Sequence, residues 1–370
     1  MRDITPALTP ELQQHVDAKS VDAARAYRVA SYRDLVEQVA RLAYLNKDHL
    51  LFFRGQSRDY KSKAGSSTIY PSIYRGDYLP QREVNYRFDI LSEASGQLKQ
   101  LFTKQRVEGF QELSRKKYIQ WSVLQHYGVC STPLLDLTHS VRVACSFAQL
   151  GSSEASSYVF VFGLPYVTNR ISVNSEHDVV LIRLLSICPP NALRPYFQEG
   201  YLSGTEDITN EYETKTELDF KNRLIAKFEI PNGHSFWGSG FTAIPESVLY
   251  PEGDRVEELC RAISTRLREE VLPGALGDFI KAWTQLEEDL ISTAKRIDPD
   301  IHSQRGAINL LVRSELFDPA EVLAFNELRN FRNVVVHEPR RVEPSQLDDY
   351  RNRIESFREA ILKRRRRQAS

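Results

Sequence analysis

The chain has 370 residues, 41% of them hydrophobic and 10% aromatic, which is enough for the cores of two or three domains. Its 49 basic and 49 acidic residues balance, so no overall field recruits nucleic acid or an anionic membrane, and any such contact has to be local. The sequence contains no apolar run of about 18 residues, so no membrane helix is predicted. Its first residues are charged and lack the apolar segment of a signal peptide. The four cysteines lie far apart without a CxxC pair, so we expect a cytoplasmic protein with neither a metal site nor a disulfide framework.

Apolar periodicity predicts an α+β domain in the first two thirds of the chain. Residues 57–80 carry Gly, Ser, Pro and Tyr without periodicity and are expected to form a loop with short strands. The other predicted elements are, in chain order, a helix at 31–45, a strand at 50–53, a helix at 82–104, a helical segment at about 116–128, a strand at 133–138, a helix at 140–150, strands at 158–162, 179–185, 224–230 and 242–249, and a helix at 254–270.

The pattern changes after Pro273, where amphipathic helices are predicted at 277–297, 318–337 and 344–365 and no strand is predicted. Five consecutive basic residues at 363–367 are suited to touch nucleic-acid phosphates or to form a solvated helix end. The predicted organisation is therefore a lead-in at 1–29, an α+β domain at 30–268, a linker at 269–276, a helical bundle at 277–365 and a basic tail at 366–370.

Seven segments in the first domain follow one another in the order found in FRG domains, and residues 30–265 resemble that family. The family takes its name from the first motif, here Phe53-Arg54-Gly55. The segments read FFRGQS, IYPSIYRG, WSVLQHYG, TPLLDLTHSVRVACSFA, RPYFQEGYL, AKFEIP and ESVLYPEGD.

The resemblance implies a distant ADP-ribosyltransferase-like fold, in which an Arg on the first strand, followed by Gly, holds the phosphates of NAD. A third motif in such enzymes supplies a glutamate that stabilises the oxocarbenium-like transition state, and the best match is Gln198-Glu199-Gly200. A guanidinium offers paired donors to phosphate oxygens, which suits Arg54 to its implied role. The implied ligand-binding residues are Arg54, Gly55, Gln56, Thr138 and Gln198, and the implied catalytic residues are Glu199, His126 and Asp136.

Each of these polar residues also has a structural interpretation. Arg54 is suited to a buried pair with Asp136, and His126 to a helix end where a carbonyl satisfies its ring. Asp136 and Thr138 are suited to capping the helix that follows them. Because polar residues at the ends of buried strands commonly build sites, we expect the set to share one cleft.

Residues 327–337 contain the pattern Arg-Asn-x-x-x-His, with Arg332, Asn333 and His337, which resembles the motif of HEPN domains. That resemblance implies metal-independent RNA cleavage, in which His337 moves a proton and Arg332 stabilises phosphate charge. It also implies a homodimer through the bundle, since a symmetric partner completes such sites. Alternatively, the bundle serves only for dimerisation, and His337 interacts with the dipole at a helix end.

Three functions therefore stand as predictions. In the first, the chain is a nucleotide-directed effector of stress or phage defence, whose FRG cleft binds NAD or a related nucleotide and transfers or cleaves ADP-ribose. In the second, a HEPN ribonuclease toxin acts on RNA while the FRG domain senses a trigger. In the third, the chain is a non-enzymatic, ligand-binding dimeric scaffold. The sequence leaves the acceptor, the trigger and the oligomeric state open.

Overall fold

The structure is a computed structural model, and its residues fall into two compact units, Met1–Ile263 and Ser264–Ser370. Side chains are not described at residues 82, 83, 86, 268, 269, 273–275, 304, 305, 336, 337, 344, 345 and 364–367. The described residues are 1–76, 79, 81–206, 212, 214–269, 273–299, 301, 304–314, 316–337, 342 and 344–367.

One eight-stranded sheet forms the centre of the first unit. Its order is β1-β8-β4-β2-β3-β7-β6-β5, and every neighbouring pair is antiparallel except β1 and β8. The strands are β1 (Tyr27–Arg28), β2 (Leu50–Gln56), β3 (Leu135–Thr138), β4 (Ser156–Leu164), β5 (Ile171–Asn174), β6 (Val179–Arg183), β7 (Gly200–Gly204) and β8 (Leu224–Pro231).

Helices cover the sheet and connect its strands. Three short 3₁₀ turns lie at Ser72–Tyr74, Lys215–Leu218 and Phe220–Arg223. The helices are α1 (Pro10–Val16), α2 (Tyr32–Leu45), α3 (Gln81–Lys104), α4 (Phe110–Arg115), α5 (Lys117–His126), α6 (Val141–Gln149), α7 (Leu184–Ile187), α8 (Arg194–Phe197), α9 (His234–Trp237), α10 (Glu246–Leu249) and α11 (Arg255–Glu269).

The alternation of side chains along the central strands divides the core between the two faces of the sheet. On β2, Leu51 and Phe53 join one apolar cluster with residues of α2 and α6, whereas Phe52 joins the cluster on the opposite face. Val161 and Phe162 of β4 divide in the same way. A strand buried on both faces reads as a continuous apolar run, which is why the sequence LLFF predicts it.

Most of the predicted elements of the first unit are confirmed within a few residues: α2, β2, α3, α5, β3, α6, β4, β6, β8 and α11. The strand predicted at 242–249 is wrong. Residues 241–245 are irregular and α10 follows them, because the Ile244 amide donates to the Ser146 hydroxyl of α6 (2.9 Å) instead of to a strand. In the loop at 57–80, a single isolated bridge, between Lys61 and Ser67, joins the described residues.

All the regular structure among the described residues of the second unit is helical, which confirms an all-α second part. Its helices are α12 (Pro273–Ala294), α13 (Gln304–Arg313), α14 (Pro319–His337) and α15 (Pro344–Arg367). Helix α13 was not predicted. The predicted linker lies partly in residues 270–272, outside the described part, and α12 begins within its range. The predicted basic tail lies partly in α15 and partly in residues 368–370, also outside it.

The second unit has an apolar core of its own, in which Trp283, Phe325 and Phe331 are large buried members. The Phe331 ring stacks on Tyr350 with centroids 3.7 Å apart, which ties α14 to α15. No helix built from the described residues has the length and apolar content that crossing a membrane requires.

Candidate functional site

A cleft opens where two central strands separate. Strands β2 and β3 pair through a single residue pair, Phe53 and Thr138, and then diverge. The cleft has a volume of about 470 Å³. Six predicted site residues line it: Arg54, Gly55, His126, Asp136, Thr138 and Gln198.

Arg54 reaches across the gap between the two strands. Its Nη1 donates to the backbone carbonyl of Asp136 (2.7 Å), and not to the carboxylate as the structural interpretation supposed. Its Nε is buried and has no hydrogen-bond partner among the described residues. Burial lowers the pKa of Arg54 to about 10, against the opposing charge of Asp136, so the guanidinium remains charged at neutral pH.

Gly55 allows helix α6 to lie directly against β2. A Cβ atom at this position would come 1.8 Å from the carbonyl oxygen of Ala144 and 2.7 Å from the amide nitrogen of Ala148. Both are backbone atoms of α6 and cannot move aside as a side chain would. The Gly in the motif is therefore explained by helix–strand packing next to Arg54.

Asp136 lies opposite an imidazole on the cleft wall. Its Oδ2 accepts a hydrogen bond from Gln125 Nε2 (2.6 Å), and its Oδ1 lies 3.7 Å from His126 Nδ1. Burial acts to raise the pKa of Asp136, but the contact and charge of His126 and the charge of Arg54 outweigh it, so the pKa lies below its usual value. The His126 Nε2 is buried without a partner in the described structure. The cleft thus presents an ionised carboxylate beside an imidazole.

Two further predicted site residues, Thr138 and Gln198, hold the wall of the cleft together. The Thr138 hydroxyl donates to the carbonyl of Gln198 (3.0 Å), which fastens β3 to the turn before β7. Gln198 is buried, and its amide donates to the Leu249 carbonyl at the end of α10 (2.8 Å). Helix α6 is capped by the side chain of Ser140, so Asp136 and Thr138 do not provide that cap.

Glu199, the predicted catalytic glutamate, is not brought into the cleft. Its side chain is exposed, although its neighbours Gln198 and Gly200 both line the cleft. The reason is local: Glu199 adopts φ 45°, a left-handed conformation that turns its side chain away from the wall on which its neighbours lie. The assignment carried over from the resemblance therefore does not fit this position.

Sequence reasoning missed two residues that shape the cleft, Gln125 and Arg194. The Arg194 guanidinium lies between the rings of Tyr127 and Tyr250, 4.8 Å from each centroid, and pairs with Glu257 at 2.9 Å. It also donates to the His126 carbonyl (3.2 Å), which fixes the end of α5. The motif RPYF contained Arg194, but nothing in its spacing revealed the aromatic pair that surrounds it.

Gln56 lies outside the cleft. It lines a second cavity of about 930 Å³ that shares Arg54, Gly55 and Phe147 with the cleft. In the second unit, the Arg332 Nη1 donates to the Asn333 side chain (3.2 Å) on α14. The Nε of Arg332 is buried and has no partner among the residues described. His337 is the last residue of α14, and its side chain lies outside the described residues.

Comparison with known proteins identifies the part of the chain that builds most of the cleft. The family model of the FRG domain matches residues 49–156. No curated protein and no solved structure matches the chain. The matched residues include Arg54, His126, Asp136 and Thr138, whereas Gln198 and Glu199 lie beyond them. The match supports the resemblance to the FRG domain family that was drawn from the motifs, over residues 49–156.

Proposed function

We propose that the FRG cleft binds NAD or a related pyrophosphate nucleotide, and that the chain is a nucleotide-directed effector of stress or phage defence. The observation that carries the proposal is the charged Arg54 side chain, which lines both cavities and whose buried Nε has no partner in the described structure. A buried cation needs a compensating anion, and a phosphate oxygen supplies one with matching geometry.

Asp136 takes the role that the resemblance gave to Glu199. It is the one carboxylate among the described residues that line the cleft, and its lowered pKa keeps it ionised at neutral pH. When the bond from nicotinamide to ribose breaks, the electron pair leaves with nicotinamide and positive charge develops on the sugar. A carboxylate stabilises that charge, and His126 accepts the proton of the water or other nucleophile that attacks the sugar carbon.

Calorimetry with NAD tests the binding half of the proposal. We expect Arg54→Lys to weaken binding about tenfold, because lysine keeps the charge but loses the planar, paired donors. Arg58→Lys is the matched control, since Arg58 is exposed, pairs with Glu154 at 2.7 Å and lines neither cavity. Equal affinities for the two variants would remove Arg54 from this role.

Nicotinamide release tests the catalytic half. We expect Asp136→Asn to lower the rate about a hundredfold or more, and Glu199→Gln to leave it unchanged. Thermal unfolding of both variants shows whether the fold is kept. A loss confined to Glu199→Gln would contradict the assignment of Asp136. NAD binding without any release by the unaltered protein would favour the non-enzymatic scaffold.

A second candidate function, RNA cleavage by a HEPN-like bundle, is favoured by one observation. Arg332, Asn333 and His337 all lie on α14, with His337 ending the helix, and the buried Arg332 Nε has no partner in the described structure. The second unit would then dimerise to complete the site.

Incubation with total RNA, with and without a chelator, tests this candidate. We expect Arg332→Ala and His337→Ala each to abolish cleavage, and Arg329→Ala, on the same helix, to preserve it. Sedimentation of the same samples reports whether a homodimer forms. Intact RNA at high protein concentration would leave the bundle as a dimerisation module.

A further inference from the structure

A second cavity beside the cleft gathers positive charge, although the chain as a whole is neutral. We call it the basic basin and define it by its five cationic side chains and one exposed aromatic ring. No Asp or Glu is among the described residues that line it. Its defining residues are Arg54, Lys61, Lys63, Arg75, Lys215 and Tyr60.

Buried interactions beneath the basic basin hold its wall in place. Lys227 is buried and pairs with the buried carboxylate of Asp59 at 3.3 Å, and it also donates to the Ser67 hydroxyl (2.6 Å). These contacts fix both ends of the segment that carries Tyr60, Lys61 and Lys63. On the other side, Arg87 is buried and donates to the Arg75 carbonyl (2.7 Å). The basin is therefore a preformed part of the fold.

The described contacts of Arg54, Arg75 and Lys61 join these cations mainly to neutral groups. The Arg75 Nε donates to the Tyr70 carbonyl (3.0 Å), and Arg54 donates to the Asp136 carbonyl. Lys61 lies 3.9 Å from Asp59, but that carboxylate is closer to Lys227. The described lining of the basin therefore carries a net positive charge, which favours a ligand with several negative charges.

An exposed aromatic ring stands among these cations. The Tyr60 side chain is 56% exposed and lines the basin together with Arg54 and Lys61. Cations that follow a phosphate backbone, interleaved with a ring on which a base stacks, are the features that bind single-stranded nucleic acid. Five cations also exceed what the phosphates of a single dinucleotide require, and the basin has about twice the volume of the cleft.

We propose that the basic basin binds single-stranded nucleic acid, with its phosphates on the Lys and Arg side chains and one base on Tyr60. A duplex keeps its bases stacked inside and cannot offer one to Tyr60, so we expect a preference for single strands. This inference does not require that the cleft bind NAD, because four of the five cations of the basin, all except Arg54, lie outside the cleft.

Fluorescence anisotropy with a short labelled single strand, and the full chain, tests the charges. We expect Lys61→Gln/Lys63→Gln to weaken binding about tenfold and to reduce the slope of log K against log salt by about 0.7 for each phosphate that is no longer neutralised. The matched control is Lys19→Gln/Lys104→Gln, which removes two exposed charges that line neither cavity and leaves the basic residues at 363–367 unchanged. Equally weakened binding in the two double variants would overturn the proposal.

Tyr60 provides a second, uncharged test. We expect Tyr60→Ala to weaken binding about tenfold, while Tyr60→Phe, which keeps the ring, binds as the unaltered protein does. Tyr44→Ala is the control, because Tyr44 is 70% exposed and lies outside the basin. Duplex binding as tight as single-strand binding, or displacement of the strand by equimolar nucleoside triphosphate, would also overturn the proposal and point to a small phosphorylated ligand instead.

Discussion

The charge of Asp136 is decided by its neighbours in the cleft. Burial alone would raise its pKa, and the contact with His126, the charge of Arg54 and the hydrogen bond from Gln125 reverse the direction. Two of these three neighbours come from α5, which ends at His126. The protonation state of the cleft therefore depends on where α5 ends.

This dependence gives a pH prediction. Because the folded pKa of Asp136 lies below its usual value of 3.8, the stability from its ionised form is present above that value and is lost as the pH falls through the folded pKa. His126→Gln removes the imidazole that lowers the pKa of Asp136, while burial still raises it. We therefore expect the titration midpoint of Asp136 to move upward. Carboxyl ¹³C NMR measures that midpoint, with His15→Gln, at an exposed histidine, as the control. An unmoved midpoint would show that His126 does not hold the charge.

At this scale the sequence predicted most of the residues that meet in the cleft, but it wrongly included Glu199 and Gln56 and did not predict how each residue is used. Arg54 and Asp136 were predicted to share one cleft because polar residues at the ends of buried strands commonly build sites, and they do line it together. The contact through the Asp136 carbonyl was not predictable, because it depends on how two strands diverge. The direction of Glu199 depends on a positive φ at a non-glycine residue, and the short motif that contains it carries no signal for that conformation.

Helix α6 packs directly against strand β2 at the cleft. Their contact passes through Gly55, where the backbone of α6 occupies the space of a missing Cβ. Because Arg54 precedes this glycine, the packing of α6 also fixes the direction in which the guanidinium leaves the strand. The motif Arg-Gly thus joins the residue that we propose to bind phosphate to the packing residue that positions it.

Two glycine substitutions test this packing. We expect Gly55→Ala to lower the free energy of unfolding by about 3 kcal/mol or more, because the clash involves backbone atoms. Gly96→Ala in α3, where nothing lies within 4 Å of the added Cβ, should raise it by about 0.5 to 1 kcal/mol through helix propensity. Denaturant unfolding measures both. A Gly55→Ala protein as stable as the unaltered one would mean that β2 and α6 separate readily.

Elements with strong apolar runs were predicted, and those that depend on their neighbours were not. Strand β7 reads GYLSG, with a glycine at each end, and forms because β3 and β6 flank it on both sides. The segment at 242–249 has a more strand-like composition but no strand beside it to complete a ladder in the described sheet. In both segments, the presence or absence of a neighbouring strand determined whether a strand formed, and composition does not reveal that neighbour.

At the scale of the whole molecule, two separate apolar cores indicate two folding units. The change from α+β to all-α was visible in the sequence, because strand patterns stop before the second unit. The position of the change was harder to predict: the structure divides the chain after Ile263, inside α11, where helical periodicity continues without interruption. A boundary within a regular helix leaves no turn signal to detect.

Differential scanning calorimetry tests the two units. We expect two transitions, one for each core. Phe325→Ala should lower the midpoint temperature of the transition of the second unit, and Phe236→Ala that of the first unit. Each substitution should reduce the free energy of unfolding of its own unit by about 3 to 5 kcal/mol. A single transition that both substitutions shift equally would contradict independent unfolding.

The separation along the chain of the cleft residues sets the order in which the site can assemble. Gln125 and Asp136 bond across 11 residues, whereas Arg54 reaches Asp136 across 82. The entropy of closing a loop grows with its length, so the contacts around the carboxylate can form early and locally, while the guanidinium joins them only after β2 has entered the sheet. A nascent or partly folded chain would therefore hold the acid–imidazole half of the cleft without Arg54, and the nucleotide affinity proposed for the cleft would appear only at the last stage of maturation.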